Sequence, residues 1–198
     1  QGDRRVSAVA VGLTPDDYIS AGVKALQSVD RALLLRANEV IIRSDLVVTA
    51  GNGGSSAVAS HLTQGLMKPL PDGRYGILSV CVTDNVPLFS AFANDLGWMA
   101  GMTGAGSPWF EAFKRWKKGA VLVAISSSGK SKNVVEMIES AKRNGAFGVG
   151  MTGFDGGDVR KGSDLSLHVD SHDYGIVESV HLFLCHWLQK AAEARAKE

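Results

Sequence analysis

The sequence has few of the features that would mark a secreted, membrane-spanning or nucleic-acid-binding protein. Its two cysteines, Cys81 and Cys185, are too few for a disulfide framework, and we expect both to be buried thiols of a reducing compartment. The 21 basic residues nearly balance the 20 acidic ones, so net charge offers no attraction for nucleic acid or an anionic membrane. No apolar run has the length of a membrane span, and the first residues do not resemble a signal peptide. The default prediction is a cytoplasmic protein with no nucleic-acid or membrane partner.

What the sequence does contain fits a single globular domain. Of its 198 residues, 45% are apolar and 21% are charged, as in ordinary soluble proteins. Thr14-Pro15-Asp16-Asp17 predicts a helix start, with a capping hydroxyl, a proline and two acids in the first turn. Apolar residues then recur at helical spacing, with Ser28 and Asp30 as a candidate break between two helices. This N-terminal segment either covers the sheet or forms an oligomer face. The expected division is residues 1–45 for the helical segment and 46–198 for the core.

Five short apolar runs predict β-strands, and helical patterns separate them. The runs are residues 46–49, 75–82, 121–125, 147–152 and 165–169. A last helix is predicted from about Gly175 to Ala194. Strands that alternate with helices are typical of a three-layer, doubly wound α/β fold with a parallel sheet. In such a fold, ligands bind beyond the carboxyl ends of the strands.

A glycine-rich turn follows the first predicted strand. Gly51-Asn52-Gly53-Gly54 ends the apolar run, and a helix begins near Ser55 or Ser56 and carries His61 about two turns later. Glycines allow the backbone to approach a ligand closely, and the N–H groups at a helix start attract anions. A tight connection without a ligand would give the same pattern. The turn alone therefore leaves both interpretations open.

A second loop of the same kind favours the anion interpretation. The third predicted strand is followed by Ser126-Ser127-Ser128-Gly129-Lys130-Ser131 and then by a helical pattern. Two such loops at one sheet edge predict a pocket for a phosphate or a sugar, with hydroxyls beside the amides. The loop is not a nucleotide-triphosphate loop, because that pattern needs a glycine five residues before Gly129. That position is Ala124, inside the strand.

The last predicted helix carries a carboxylate and two histidines. Glu178 falls between His181 and His186 on the helix surface at about 100° per residue. Together with His61, these groups either bind a divalent metal such as zinc or move protons between carbon and oxygen. Taken alone, each histidine also fits a purely structural role on a partly apolar helix.

Between the second and third strands lies a stretch poor in charge. Residues 97–107 are rich in glycine and methionine, which predicts a mobile loop and, in one interpretation, a lid. Four aromatic residues follow at helical spacing and predict core or a subunit interface. They are Trp109, Phe110, Phe113 and Trp116.

Several motifs together resemble the sugar-isomerase (SIS) domain, and within it the bacterial phosphoheptose isomerases. The motifs are Gly51-Asn-Gly-Gly-Ser55 with His61, Ala93-Asn94-Asp95, Ile125-Ser-Ser-Ser-Gly-Lys-Ser131-x-Asn133-Val134, Met151-Thr-Gly-x-Asp-Gly-Gly157 and Glu178-Ser-Val-His181-x4-His186. Their order and spacing extend the resemblance over nearly the whole chain.

The resemblance implies a five-stranded parallel sheet, a homotetramer with sites between subunits, and a sugar phosphate as the ligand. It implies aldose–ketose isomerisation through an enediol, with a carboxylate base and a histidine acid. The implied substrate contacts are Asn52, Gly53, Ser55, Asp95, Ser126, Ser127, Ser128 and Ser131. The implied zinc ligands, for members that bind zinc, are His61, Glu178 and His186, which are also the candidate catalytic residues.

Two positions depart from the family pattern. The isomerases carry a glutamate four residues after the first histidine, where this sequence has Gly65. Glycine is neither a base nor a ligand, and the amide of neighbouring Gln64 has no useful proton affinity. The family's aspartate shortly before the last-helix ligand is also missing, because Gly175 aligns there, with Asp173 nearby.

Two hypotheses follow from these departures. In the first, the chain is an isomerase of the phosphoheptose type, acting on sedoheptulose 7-phosphate or a close analogue. Glu178 then takes over as the base, with His186 or His61 assisting. In the second, catalysis is lost and the chain is a module that binds a phosphosugar or a protein.

Overall fold

Thirteen helices and strands are placed in the part of the chain that the computed structural model describes, residues 13–69, 73, 76–99, 108–116 and 119–195. In chain order they are α1 (Pro15–Gln27), α2 (Arg31–Ile42), β1 (Leu46–Gly51), α3 (Gly54–Met67), β2 (Ser79–Cys81), α4 (Val86–Leu96), α5 (Pro108–Trp116), β3 (Ala120–Ser126), α6 (Lys132–Arg143), β4 (Phe147–Thr152), α7 (Gly157–Gly162), β5 (Leu165–His168) and α8 (Tyr174–Arg195).

The five strands form one parallel sheet in the order β2-β1-β3-β4-β5. Strand β3 lies at its centre, and every residue of that strand is buried, as expected when helices cover both faces. β1 pairs with β3 from Leu46 opposite Ala120 to Gly51 opposite Ile125, so the two strands end at the same level. The predicted doubly wound α/β fold with five parallel strands is confirmed.

Two apolar layers hold the helices against the sheet. On one face α1, α2, α3 and α8 pack through side chains such as Ile41, Leu62 and Leu184. On the other face α5 and α6 pack through Phe113 and Met137. Each large apolar side chain buried in this way stabilises the fold by about 1.5–3 kcal/mol. Because α3 and α8 lie side by side on one face, the last helix reaches the loop that follows the first strand.

The N-terminal segment consists of two helices, as one interpretation of the sequence predicts. Thr14 Oγ1 accepts a hydrogen bond from the Asp17 amide at 3.1 Å and caps α1. Asp30 caps α2 by accepting from the amides of Ala32 and Leu33. These caps satisfy N–H groups that a helix start leaves without partners, so the chain stops one helix and starts the next within three residues.

One predicted strand is too long. The strand expected over residues 75–82 is limited to Ser79–Cys81 among the described residues. The preceding segment turns toward the end of α3 instead, where the Ile77 amide donates to the Leu66 carbonyl at 2.8 Å. Because the Ile77 amide is used in that hydrogen bond, it cannot extend the ladder between β2 and β1.

The outcomes of three other sequence predictions differ. The turn expected at residues 153–157 continues into α7, a short helix that was not predicted from the sequence. Phe113 of the aromatic stripe is fully buried, as predicted for a core residue. Most of the predicted loop at 97–107 lies outside the described residues.

Both cysteines are buried free thiols, as predicted. Burial raises the pKa of Cys185 to about 12, and burial also raises the pKa of Cys81. Since the thiolate is the reactive form, neither side chain is a nucleophile near neutral pH. In the described ranges, no helix combines the length and the apolar character needed to span a bilayer.

His181 should make the stability of the fold depend on pH. Its side chain is completely buried, and burial lowers its pKa from 6.5 to about 4. The unfolded chain therefore takes up this proton at a higher pH than the folded chain does. Above pH 6.5 neither state is protonated there, and as the pH falls from 6.5 to 4 the folded state loses on the order of 3 kcal/mol.

We expect His181→Gln to remove this contribution. Urea unfolding at about pH 7 and about pH 4.5 measures it, and the loss of unfolding free energy between the two should be smaller for the variant. Equal losses for the variant and the wild type would contradict the prediction.

Candidate functional site

The loops that follow β1 and β3 meet where the order of the sheet reverses. The helices that leave these two adjacent strands lie on opposite faces, α3 on one and α6 on the other. A crevice opens between such strand ends, and ligands of open α/β sheets bind in it. Both loops predicted from the sequence to face an anion are therefore at the expected place.

The first loop brings the start of α3 against the last helix. Gly53 has a φ of +53°, which favours glycine, and no side chain caps the helix that follows. A Cβ built on Gly54 would overlap the carboxylate of Glu178. The missing side chain at Gly54 thus lets the Glu178 carboxylate lie at the N-terminus of α3, where the helix dipole favours negative charge.

The second loop is held by the backbone that follows β4. The Gly153 amide donates to the Ser127 carbonyl at 2.8 Å, and the Val159 amide donates to the Gly129 carbonyl at 3.0 Å. Gly129 has a φ of +68°, and a Cβ on it would overlap the carbonyl group of Gly156. The serine loop is therefore fixed by contacts between two backbones, and only glycine fits at their closest approach.

Lys130 points to the rim of this loop. Its Nζ lies 2.7 Å from Asp155 Oδ2, and both side chains are more than half exposed. The hydrogen bond and charge of Asp155 raise the pKa of Lys130, and the Lys130 hydrogen bond lowers the pKa of Asp155. The lysine of the loop therefore pairs with the turn after β4 instead of entering the crevice.

Ser127 has a buried hydroxyl that is not used within the fold. Its side chain is 4% exposed, and its Oγ has no hydrogen-bond partner. By contrast, Ser126 Oγ donates to Ser131 Oγ at 3.3 Å. A buried polar group without a partner costs about 1–3 kcal/mol. An anion oxygen that accepts this proton would remove the cost.

We expect Ser127→Ala to weaken the binding of phosphate without weakening the fold. Loss of one hydrogen bond to a charged ligand should lower affinity by about tenfold or more, whereas the melting temperature should stay the same or rise. Titration with inorganic phosphate and with a sugar phosphate measures the first quantity, and thermal unfolding measures the second.

Ser140→Ala is the matched control, because Ser140 is another buried serine whose Oγ has no partner, on the side of α6 that packs into the core. It should leave phosphate affinity unchanged. Equal effects of the two substitutions would show that Ser127 Oγ is not a ligand contact.

A cavity of about 240 Å³ joins the two loops to the last helix. Asn52 and Asn133 tie its sides together, each amide donating to the oxygen of the other at 2.9 Å. A water molecule takes about 30 Å³, so there is room for a phosphate group and a short carbon chain. The lining residues are Asn52, Gly53, Gly54, Ser55, Ser126, Ser127, Ser128, Ser131, Tyr174 and Glu178.

Most of the predicted substrate contacts are thus brought together. Asp95 is not among them: it is exposed on α4, where its Oδ1 accepts from Asn94 at 2.9 Å. Conversely, Tyr174 and Asn133 were not assigned roles from the sequence. Asn133 stands inside the quoted serine-loop motif, which was a usable signal. Nothing local marks Tyr174.

A second, smaller cavity of about 200 Å³ lies on the β2 side of the first loop. It shares the Asn52–Gly53 wall with the first cavity, and Thr83, Phe89 and Trp98 contribute to its other sides. The Phe89 and Trp98 rings meet edge to face, with centroids 5.2 Å apart. This aromatic wall was not predicted from the sequence.

The two predicted histidines contact each other outside the lining of the 240 Å³ cavity. The rings of His61 and His186 are 4.6 Å apart between centroids, at an angle of 68°. Burial lowers the pKa of His61, and the nearby charges of His186 and Lys68 lower it further. The buried Nε2 of His61 has no hydrogen-bond partner. With its pKa lowered from 6.5, the His61 imidazole is neutral near pH 7.

The three predicted zinc ligands do not come together as a metal site. His61 and His186 touch ring to ring, while the Glu178 carboxylate lies at the start of α3. Throughout the described residues, no three side chains of His, Cys, Asp or Glu are placed to hold a metal ion. Protein zinc sites use at least three such ligands. The residues present therefore do not fit a zinc ion, and no step proposed below passes through a metal.

Comparison with known proteins agrees with the fold. A family model described as the SIS domain matches residues 19–153. The chain is 36% identical over 147 residues to a phosphoheptose isomerase of Campylobacter concisus. The aligned stretch covers 74% of this chain and 75% of that protein.

Solved structures share the architecture at lower identity. A phosphoheptose isomerase from Neisseria gonorrhoeae superposes with a TM-score of 0.78 at 22% identity, covering 90% of this chain and 96% of that one. The NanR protein of Vibrio vulnificus, solved in complex with ManNAc-6P, gives 0.65 at 20% identity over 89% of this chain and 61% of that one.

Proposed function

Because this chain belongs to the SIS domain family, we propose that it is an aldose–ketose isomerase of a sugar phosphate, of the phosphoheptose type. The substrate we propose is sedoheptulose 7-phosphate, converted to D-glycero-D-manno-heptose 7-phosphate, or a close analogue of that pair. The main support for this proposal is that one cavity is lined by the serine loop, the start of α3 and Glu178. The 36% identity to a named phosphoheptose isomerase supports the same reading.

In this proposal the serine loop binds the phosphate. The Ser127 hydroxyl is buried and unpartnered, and Ser131 precedes α6 without capping it through its side chain. The N–H groups at a helix start and free hydroxyls are standard donors to phosphate oxygens. The loop needs little rearrangement to bind, because the backbone around Gly153 and Gly156 already holds it.

Glu178 acts as the base in the proposed reaction. Its carboxylate removes the proton from C1 of the ketose, and the C–H electrons form the C1–C2 double bond of an enediol. The same carboxylate, now protonated, returns the proton to C2, which yields the aldose. A second proton moves from the C1 hydroxyl to the C2 oxygen. His61 or His186 serves as the carrier in this proposal and, since neither lines the cavity, reaches the sugar oxygens through water. Proton transfers of this kind contribute about 10²–10⁴-fold each.

The experiment that tests this function follows exchange of the carbon-bound proton. Purified protein is incubated with sedoheptulose 7-phosphate in deuterated water and observed by NMR, first free of metal and then with added zinc. An aldose product, or deuterium at the carbon next to the carbonyl, is expected. Neither product nor exchange, with or without zinc, would overturn the proposal.

A second candidate function is a non-catalytic module that binds a phosphosugar or a protein. The observation that favours it is Gly65 in place of a carboxylate, with the side chain of Gln189 in the space above it. The NanR protein, which shares the fold, was solved bound to a sugar phosphate. Clear sugar phosphate binding without proton exchange would select this candidate. Exchange that Glu178→Gln abolishes would reject it.

We also propose a homotetramer, with the N-terminal helices as a contact face. A cavity of about 430 Å³ lies between α1, α2 and α8 and is lined by apolar side chains, including Leu34 and Trp187. Two of its lining residues, Leu35 and Phe183, are each more than half exposed, as is Ile19 of α1. Multi-angle light scattering tests the proposal, and Leu35→Glu with Phe183→Glu should lower the measured mass. A wild-type mass of one chain would refute it.

A further inference from the structure

One turn beyond the two histidines, α3 and α8 make a tight and unusual contact. Gly65 of α3 is buried, and a Cβ built on it would overlap the side-chain amide of Gln189 on α8. Gln189 is itself 9% exposed, and its Nε2 donates to the main-chain carbonyl of His61 at 3.1 Å. The Gln189 amide thus occupies the space above Gly65, and its hydrogen bond to the His61 carbonyl holds it there.

Position 65 is a place from which a further ligand beside the histidines could come. Residues four apart on a helix lie on the same face about 5–6 Å apart, so a side chain at 65 would stand next to the His61 ring. His186 already contacts that ring from α8. A carboxylate at 65 would therefore complete a set of two imidazoles and one carboxylate, which is a sufficient ligand set for a divalent ion.

We infer that Gly65 and Gln189 together form a plug that keeps a divalent metal from the His61–His186 pair. The glycine supplies no ligand, and the glutamine fills the space that a ligand at this position would need. Gln189 is a positioning residue in this inference, because it acts on the histidine pair through the His61 carbonyl and through excluded volume. The inference goes beyond the proposed isomerase activity, and metal binding tests it without any turnover.

The test compares metal binding by the wild type and by a variant without the plug. Chelator-treated protein is titrated with Zn²⁺ by calorimetry and with Co²⁺ by visible absorption. The wild type should show no binding that depends on His61. Gly65→Glu/Gln189→Ala should bind about one equivalent, and adding His61→Ala to this variant should abolish the binding.

Two further variants distinguish the effect of adding a carboxylate at position 65 from the effect of removing the Gln189 side chain. Gly65→Gln/Gln189→Ala carries a side chain of the same size without a carboxylate and should bind no metal. Gly65→Glu alone should bind at least about tenfold more weakly than the double variant and should melt at a lower temperature, because its side chain collides with Gln189.

Three results would overturn the inference. The first is one equivalent of metal bound by the wild type and lost in His61→Ala. The second is equal affinity of Gly65→Glu and the double variant. The third is a folded double variant, shown by circular dichroism and a cooperative melt, that binds no metal. If the double variant does not fold, the titration of the wild type, with His61→Ala as its control, still shows whether the unmodified histidine pair binds metal.

Discussion

Glu178→Gln is expected to reduce solvent-proton exchange on the sugar phosphate by about 10²–10⁴-fold. The substitution preserves the size of the side chain and its position at the start of α3, but an amide does not take up the proton. Binding of the sugar phosphate should be unchanged or slightly tighter, because a negative charge leaves the cavity that also contains the serine loop. Loss of turnover with retained affinity is the signature of a base, whereas a residue that only binds substrate would lose both.

The measurement combines deuterium incorporation by NMR with calorimetric titration of the same sugar phosphate. Glu139→Gln is the matched control, since Glu139 is also on a helix, is exposed and pairs with Arg143 across one turn. It should leave both quantities at the wild-type level. If Glu178→Gln keeps more than about a tenth of the wild-type exchange rate, Glu178 is not the base and the histidine pair becomes the alternative.

Gly129→Ala is expected to have the largest effect on the fold. Its φ of +68° costs a residue with a Cβ about 1–2 kcal/mol, and the new methyl group would overlap the carbonyl of Gly156. Because that neighbour is backbone, no change of rotamer relieves the overlap, and overpacking adds about 1–3 kcal/mol. The sum of about 2–5 kcal/mol corresponds to a melting temperature lower by roughly 5–15 °C.

Phosphate binding should be lost together with stability, since the displaced loop carries the Ser127 hydroxyl. Gly22→Ala provides the comparison: a Cβ there meets nothing within 4 Å, and the residue lies inside α1. That substitution should raise stability by about 0.5–1 kcal/mol. An unchanged melting temperature for Gly129→Ala would mean that the serine loop is not clamped by the turn after β4.

The fold and the place of the glycine-rich and serine loops were predictable because their signals are local. The strand around Val123 is a short run rich in branched apolar residues, and each loop follows its strand directly in the sequence. Once the strands are parallel, their carboxyl ends share an edge, and the position of both loops follows. The bounds of β2 were less predictable, because the Ile77 amide donates its hydrogen bond to the end of α3. That contact cannot be predicted from the residues of the strand.

The contacts that decide the chemistry were not predictable, because their partners are far apart in the sequence. Gln189 and His61 are 128 positions apart, and Asn52 and Asn133 are 81 apart. No periodicity within α3 or α8 indicates which side chain faces which. The sequence showed that Gly65 lacks a carboxylate, but only the packing of α3 on α8 shows that Gln189 takes its space. For the same reason, grouping Glu178 with the two histidines as zinc ligands found no support in the structure.

The contact between Gly65 and Gln189 also constrains the order in which this protein can change. A carboxylate introduced at Gly65 while Gln189 is still present collides with it, and that first step lowers stability before any new ligand is in place. Shortening Gln189 first opens a small cavity, which has a stability cost of its own, but it removes the overlap that a side chain at position 65 would meet. The two positions are therefore epistatic, because the effect of a carboxylate at position 65 depends on the side chain at position 189.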